Sequence, residues 1–406
     1  MKIPLVDLGS QHQEVADEVR AGLDEVFAAT SFVGGPAVAE FEKAYADAIG
    51  VAHCVGVANG TDALELALRV AGVGPGDDVV LPANTFIATA EAVSRIGALP
   101  VLADVDPTYL LIDPESVARV VGPRTKAIVP VHLFGQTAPV ERLVEIAESC
   151  GAVIVEDAAQ SQGATRFGRP AGGLGLVAGT SFYPGKNLGA AGDAGAVLTN
   201  DAELADRVRT VAAHGSARKY VHEAIGMNSR LDTVQAVVLS AKLRRLATWN
   251  DMRRTAANRY EERLADVSEV LLPATADGNV DVWHLYVIRV RDRDRVLADL
   301  HAAGIGAGIH YPTPVHLTGA YQHLGFRRGS FPIAEMAADE ILSLPLFPHI
   351  SARQQDYVVD RLSLSTNHGS VKRAQSNSPR SAILSNSSEI VIDERRPQLR
   401  FESGRH

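Results

Sequence analysis

Cysteine is scarce: Cys54 and Cys150 are the two in a chain of 406 residues. Two thiols build neither a disulfide scaffold nor a four-thiolate zinc site, so no metal is expected and a reducing cytoplasm is the simple reading. Long apolar runs are missing too. None approaches the roughly 18 residues that a membrane-spanning helix needs. The opening MKIPLVDLGSQHQEV reaches Asp7 too soon for a secretory leader. A basic excess is also absent. Lys and Arg number 39 against 48 Asp and Glu, a net charge of −9. That argues against a general binder of nucleic acid, yet leaves room for one local phosphate pocket.

What is present is a globular composition, 46% apolar and 21% charged, which excludes wholesale disorder. Glycine, at 35 residues, suits a loop-rich α/β enzyme. At roughly 150 residues per domain, the length predicts two or three domains, or one large domain with a smaller companion. Up to about Leu364 apolar strands alternate with amphipathic helices, without an internal repeat. CVGVAN, DDVVLP, LPVLADVD, TKAIVPVHLFG, GAVIVEDAA, SFYPG and GAVLTN read as strands. Most are continuous apolar runs, as in a parallel sheet covered on both faces. GTDALELALRVAG, IATAEAVSRIG and APVERLVEIAESCG are the intervening helices. The first carries Leu64, Ala67, Leu68 and Ala71 on one face.

The expectation is a large α/β domain over residues 1–244, with a helix near Gln13–Ala28 that packs on either domain, and a small α+β domain over 245–364. A long helix from about Thr233 joins them. VWHLYVIRV and GIGAGIHYP read as the small domain's strands, with the helix RDRVLADLHAAG between them. From Ser365 to His406 the text turns rich in Ser, Asn and Arg, with seven Lys/Arg against four Asp/Glu. It reads as a disordered tail, against the alternative of a strand docked at Ile390–Ile392.

Chemistry concentrates in SFYPGKNLGAAGDAG. Lys186 stands among small residues after a strand, where an amine can reach a cofactor aldehyde and form a Schiff base; the plain alternative is a solvated surface charge. VIVEDAAQ ends a buried strand on Glu156 and Asp157, at the carboxyl edge where α/β ligands sit. Asp157 there either keeps a pyridinium nitrogen protonated or caps the next helix. Asn59–Gly60–Thr61 opens a helix, a ready anion site or an ordinary cap, and Ser181 can add a hydroxyl. Phe86, after the strand end of LPANTFIAT, either stacks on a planar ring or fills core.

Together ANGTDAL, NTFIAT, VEDAAQ, SFYPGKNLGA and GMNSRLDTVQA resemble the DegT/DnrJ/EryC1/StrS family of sugar aminotransferases, over about residues 3–364. The resemblance implies the type I fold of pyridoxal phosphate (PLP) enzymes, with a mostly parallel seven-stranded sheet, in a homodimer with shared active sites. It implies that Lys186 carries the cofactor, Asp157 meets the pyridine nitrogen, Gln160 the ring hydroxyl and Phe86 the ring face. Gly60, Thr61 and Ser181 would hold the phosphate, with Asn228 reaching in from the other subunit. Tyr183, His310 and Tyr311 are implied on the substrate side, and Lys219 and Tyr220 in the nucleotide pocket. Arg218, Arg230 and His222 lie close by in sequence, with one acid, Glu223. Related dehydratases carry histidine at the lysine position, so Lys186 favours transamination. The implied substrate is a dTDP-3-keto-6-deoxyhexose aminated at carbon 3, with L-glutamate as donor. Carbon-4 and keto-inositol aminotransferases, and a non-catalytic regulatory protein of the same fold, are the alternatives.

Overall fold

The computed structural model describes residues 1–376 except Lys219, with backbone alone for residues 368–376. The helices are α1 (Leu8–Ala29), α2 (Pro36–Ile49), α3 (Gly60–Val70), α4 (Ile87–Arg95), α5 (Pro114–Val120), α6 (Val140–Cys150), α7 (Ala202–Ala212), α8 (Thr233–Leu264), α9 (Arg293–Ala302), α10 (Pro332–Glu340) and α11 (Ala352–Ser376). The strands are β1 (His53–Val57), β2 (Asp78–Pro82), β3 (Leu99–Ala103), β4 (Thr125–Ile128), β5 (Val153–Asp157), β6 (Thr165–Arg166), β7 (Arg169–Pro170), β8 (Val177–Ser181), β9 (Gly195–Thr199), β10 (Val270–Leu271), β11 (Asn279–Val280), β12 (Tyr286–Val290) and β13 (Ile341–Leu344).

Seven strands form the main sheet in the order β1-β9-β8-β5-β4-β2-β3. β9 runs antiparallel to both of its neighbours, while β8, β5, β4, β2 and β3 pair parallel. Helices cover both faces, so β8 and β9 are buried at every position, which is why these strands lack an in-out alternation. α3 lies closest to the sheet. A side chain at Gly179 on β8 would put its Cβ 2.8 Å from the Leu64 nitrogen. Leu64, Leu66 and Leu68 are all buried there, each contributing about 1.5–3 kcal/mol by leaving water. Burial extends round α3 to Ala63, Leu66 and Val70, wider than the single predicted face. This packing fixes where the helix's N-terminus points.

The smaller unit centres on the antiparallel sheet β10-β12-β13 with α9 and α11. α8, a single 32-residue helix, crosses the boundary expected at 244. α1 packs on it through Val15, Val19, Val238, Ala241 and Trp249. Residues ahead of α1 belong elsewhere: Ile3 bridges Ile305 and sits in the small unit's core. Three expectations need correcting. GIGAGIHYP forms only isolated bridges, and the strand beside β12 is instead Ile341–Leu344. β8 ends at Ser181, so most of SFYPG is a turn. α11 runs through the expected start of the disordered tail at Ser365. Ser365 and Thr366 are buried, and the Ser365 carbonyl accepts from Arg295. Residues 377–406, including the possible strand at Ile390–Ile392, lie outside the described residues.

Candidate active site

The carboxyl ends of β1, β2, β5 and β8 open on one side of the sheet, and the loops that leave them enclose a cavity of about 460 Å³. After β1, Asn59 caps α3 by accepting the Asp62 N–H on its Oδ1 at 2.9 Å. Gly60 and Thr61 follow as first-turn residues, whose N–H groups have no acceptor within the helix. Ser181 lies against them from the end of β8. A Cβ on Gly60 would stand 2.5 Å from the Ser181 Cβ, so only glycine lets the turn approach this closely. The Ser181 Oγ accepts the Tyr183 N–H at 3.2 Å, which leaves its own proton for a ligand. Helix N-terminus, two hydroxyls and a bare glycine make a cradle for a phosphate.

At the end of β5 two adjacent carboxylates part company, because the pleat sends successive side chains to opposite faces. Glu156 turns away from the cavity. It accepts N–H groups of Gly172, Leu174 and Gly175 at 2.7–2.8 Å, and lies 2.8 Å from His132 Nε2. His132 Nδ1 accepts the Ala138 N–H, so the proton sits on Nε2 and points at Glu156. This carboxylate holds a loop. Asp157 faces the cavity. Its Oδ2 accepts the Thr89 hydroxyl at 2.7 Å and its Oδ1 the Ala159 N–H at 3.1 Å. Burial pushes its pKa up, while Thr89, Ala159 and the Lys186 charge pull against that. Thr85 supports Thr89 through a hydroxyl contact of 2.8 Å.

Lys186 closes a turn in which its N–H donates to the Tyr183 carbonyl at 2.8 Å. Burial lowers the amine to about 8, against the opposing pull of Asp157. Amine and carboxylate line the same cavity. Phe86 precedes α4 with its ring half-exposed, 5.1 Å from the Tyr311 ring and tilted by 37°. Gln160 accepts the Phe134 N–H at 2.7 Å and donates to the Tyr311 hydroxyl at 3.1 Å. These two contacts fix its amide orientation. His310 is 2.8 Å from the Ser343 hydroxyl, and burial lowers its pKa. Tyr183 stands exposed at the mouth.

Ten of the expected residues therefore meet in one cavity: Gly60, Thr61, Phe86, Asp157, Gln160, Ser181, Tyr183, Lys186, His310 and Tyr311. Asn228 and Tyr220 do not line it. Asn228 is exposed and its backbone bridges Ala213. Tyr220 is 82% exposed on the loop that also carries exposed Arg218 and His222. Lys219 lies outside the described residues. Sequence reasoning missed Thr85, Thr89, His284 and the N-terminal Leu5–Val6, all of which reach the cavity. The threonines flank the start of α4, Thr85 ahead of its N-cap Phe86 and Thr89 in its first turn, in the NTFIAT segment already singled out; Leu5 and His284 had no signal in their neighbourhoods.

A lysine with a depressed pKa, a buried carboxylate, a phosphate cradle and an aromatic ring around one cavity make a PLP-type site, and these residues fit that cofactor. The chain belongs to the DegT/DnrJ/EryC1/StrS aminotransferase family, whose sequence model matches residues 13–363. Aminotransferases of this family are PLP-dependent, and the chain is accordingly an aminotransferase. It is 44% identical to the dTDP-3-amino-3,4,6-trideoxy-alpha-D-glucose transaminase of Streptomyces venezuelae, over 88% of this chain and 95% of the relative. It is also 44% identical to the pleiotropic regulatory protein of Geobacillus stearothermophilus, over 89% of this chain and 98% of that one. The crystal structure of S. venezuelae DesV in complex with a ketimine intermediate superposes with a TM-score of 0.88 at 43% identity, covering 89% of this chain and 98% of that one. Among the described residues no helix is long and apolar enough to cross a membrane.

Proposed function

We propose that this chain transfers an amino group to carbon 3 of a nucleotide-linked keto-deoxysugar, a dTDP-3-keto-6-deoxyhexose, with L-glutamate as donor. The observation that carries the reading is the cavity in which Lys186, Asp157 and the Gly60–Thr61–Ser181 cradle converge; likeness to the S. venezuelae transaminase supports the sugar. PLP held there supplies an aldehyde carbon and a ring that takes up an electron pair. Lys186 would hold the cofactor and, as a free amine, would carry a proton between the donor's α-carbon and the cofactor's aldehyde-derived carbon. A pKa of about 8 keeps a useful fraction of that amine unprotonated near neutrality. Asp157, in its ionised form, would meet the ring nitrogen and hold a proton there. The Gly60 and Thr61 N–H groups and the Ser181 hydroxyl would bind the phosphate, so that proton transfers would occur at a fixed position. Tyr183, His310 and Tyr311 border the space left for substrate.

The reading includes a homodimer in the cytoplasm. Asn228, Tyr220 and Lys219 would then serve the partner's cavity, with Arg218 and Arg230 receiving the diphosphate. Exposure of Asn228 and Tyr220 away from their own cavity supports this. The test is a panel of 3-keto and 4-keto dTDP-6-deoxyhexoses, UDP-linked keto-sugars and free keto-inositol, each with enzyme, PLP and glutamate, with products read by mass and proton coupling. The 3-keto dTDP sugar should react fastest. Faster amination of a 4-keto sugar refutes the regiochemistry, and turnover of keto-inositol alone refutes the substrate class. For sharing, Lys186→Ala and Asn228→Ala subunits are mixed. Hybrids should regain activity that neither parent has, and verified hybrids without recovery refute it.

A further inference from the structure

His284 lines the cavity with Lys186 and had no role in the sequence-level site. Its backbone is pinned on both sides. The Val282 N–H donates to the Gly135 carbonyl at 3.0 Å and the Leu285 N–H to the Phe134 carbonyl at 3.2 Å. Its side chain meets a chain of amides whose orientations are determined. Asn250 donates from Nδ2 to the Gln162 main-chain carbonyl at 2.9 Å, and a carbonyl only accepts. The Asn250 oxygen is thereby the acceptor for Asn187 Nδ2, at 2.9 Å. Asn187 Nδ2 also donates to the Val282 carbonyl at 2.8 Å. Both asparagines are buried, so neither can exchange these partners for water. What Asn187 offers His284 is its oxygen, 3.2 Å from Nδ1. An oxygen there requires a proton on Nδ1.

The charged or titratable groups acting on the ring are Lys186, Arg253 and His310, and with burial they hold its pKa well below the ordinary value. Arg253 donates to the main-chain carbonyl of His284 from behind. A second proton on Nε2 is therefore disfavoured, and that nitrogen keeps its lone pair. Asn187 directly follows Lys186, so the residue that orients the ring is tied to the lysine's own turn.

We infer that His284 is a positioning residue for Lys186: held by Asn187 and Asn250 as the Nδ1-protonated tautomer, it accepts a hydrogen bond on Nε2 from the lysine amine and aims that amine at the cofactor carbon. The histidine takes no proton and forms no covalent bond. This rests on Lys186 being the cofactor lysine.

Two isosteres separate the ring's two nitrogens. Glutamine carries an acceptor near the Nε2 position and nothing at Nδ1; asparagine carries a donor near Nδ1 and nothing at Nε2. Apoenzyme is mixed with pyridoxal 5′-phosphate, and the rate at which the lysine-bound absorbance appears is followed. His284→Gln should stay within about threefold of wild type, while His284→Asn should slow by about tenfold to a hundredfold, the scale of one lost hydrogen bond to a charged or reacting group. The reverse order, or equal rates, overturns the inference, because support for Asn187 alone would favour the asparagine. In ¹⁵N-histidine-labelled holoenzyme the resonances missing from His284→Gln should show the Nδ1-protonated neutral pattern. An Nε2-protonated or cationic ring at neutral pH overturns it equally. Lys186→Ala is the control. Absorbance retained there overturns the functional reading and this inference together; absorbance lost there, with His284→Asn unaffected, overturns the inference alone.

Discussion

Thr89→Val tests the proposed role of Asp157 as the carboxylate that meets the cofactor's ring nitrogen. The substitution keeps the shape of the side chain and removes the hydroxyl that donates to Asp157 Oδ2 at 2.7 Å. A hydrogen bond to a charged group contributes about 1.5–3 kcal/mol, and one pKa unit corresponds to about 1.36 kcal/mol. The lost donor served the ionised carboxylate, so the Asp157 pKa should rise by about one to two units above a value that burial already raises. The sign follows directly. The active form is ionised and lies above the pKa, so the acid limb of kcat/KM moves to higher pH while the alkaline limb stays. Thr85, buried and left without the partner at 2.8 Å, adds a stability loss of about 1–3 kcal/mol, seen as a lower Tm. Thr89→Ser keeps the hydroxyl and should restore the acid limb while the lost methyl still lowers Tm. The assay is a stopped-flow half-reaction with glutamate from pH 5 to 9. Superimposable acid limbs for wild type and Thr89→Val would refute the assignment of Asp157 as the group titrating there.

Lys186→Ala should lose both turnover and the visible absorbance of lysine-bound cofactor without loss of folding, and a variant transaminating near the wild-type rate would move the anchor to another lysine. In the apoenzyme, the reaction of Lys186 with an aldehyde probe should rise through a midpoint at about pH 8; a midpoint near 10.5 would show that burial does not tune it. Gly60→Ala forces its new carbon to within 2.5 Å of the Ser181 Cβ, so PLP affinity should fall at least tenfold at a stability cost of about 1–3 kcal/mol, and unchanged affinity by fluorescence titration would remove this turn from the phosphate site. Deletion of residues 377–406 should leave activity and Tm unchanged, whereas ending the chain at Ser365 should lower Tm, because Thr366 is buried against the small unit; equal Tm values would restore the boundary at Leu364.

Six of the seven strands, the parallel bias and the two chemical loops were legible because each is carried by residues adjacent in the chain; β8 was missed, because most of SFYPG lies past its end at Ser181. A buried strand announces itself as an apolar run, and a lysine between glycines stands out without reference to anything distant. The small unit was harder. GIGAGIHYP offers Ile305 between two glycines and Ile309 directly after a third, and glycine contributes no side chain to hold a ladder together; the run pairs at single points only. The true strand, Ile341–Leu344, begins directly after α10 with no intervening loop, so no turn signal separates the two. α2 went unread although Pro36 stands at its first position: its N-cap is Gly35, which makes no side-chain hydrogen bond.

The pair Glu156–Asp157 shows where sequence reasoning stops. Both are buried carboxylates at the end of one strand, and their chemical type gives no ground for preferring either. The pleat guarantees that they face opposite ways; what lies on each side decides their work. One side holds three backbone N–H groups and a histidine proton, which saturate Glu156. The other holds Thr89, at a sequence distance of 68 residues, together with an amine and open space. A carboxylate with every lone pair engaged is a strut, and one left facing a cavity with capacity to spare can act on a ligand. That distinction is made by residues from other elements, and so are the tautomer of His284 and the orientation of Gln160. The groups proposed to perform the reaction were therefore legible one by one, while the groups that decide their protonation and aim became visible only when the fold brought them across from distant parts of the chain.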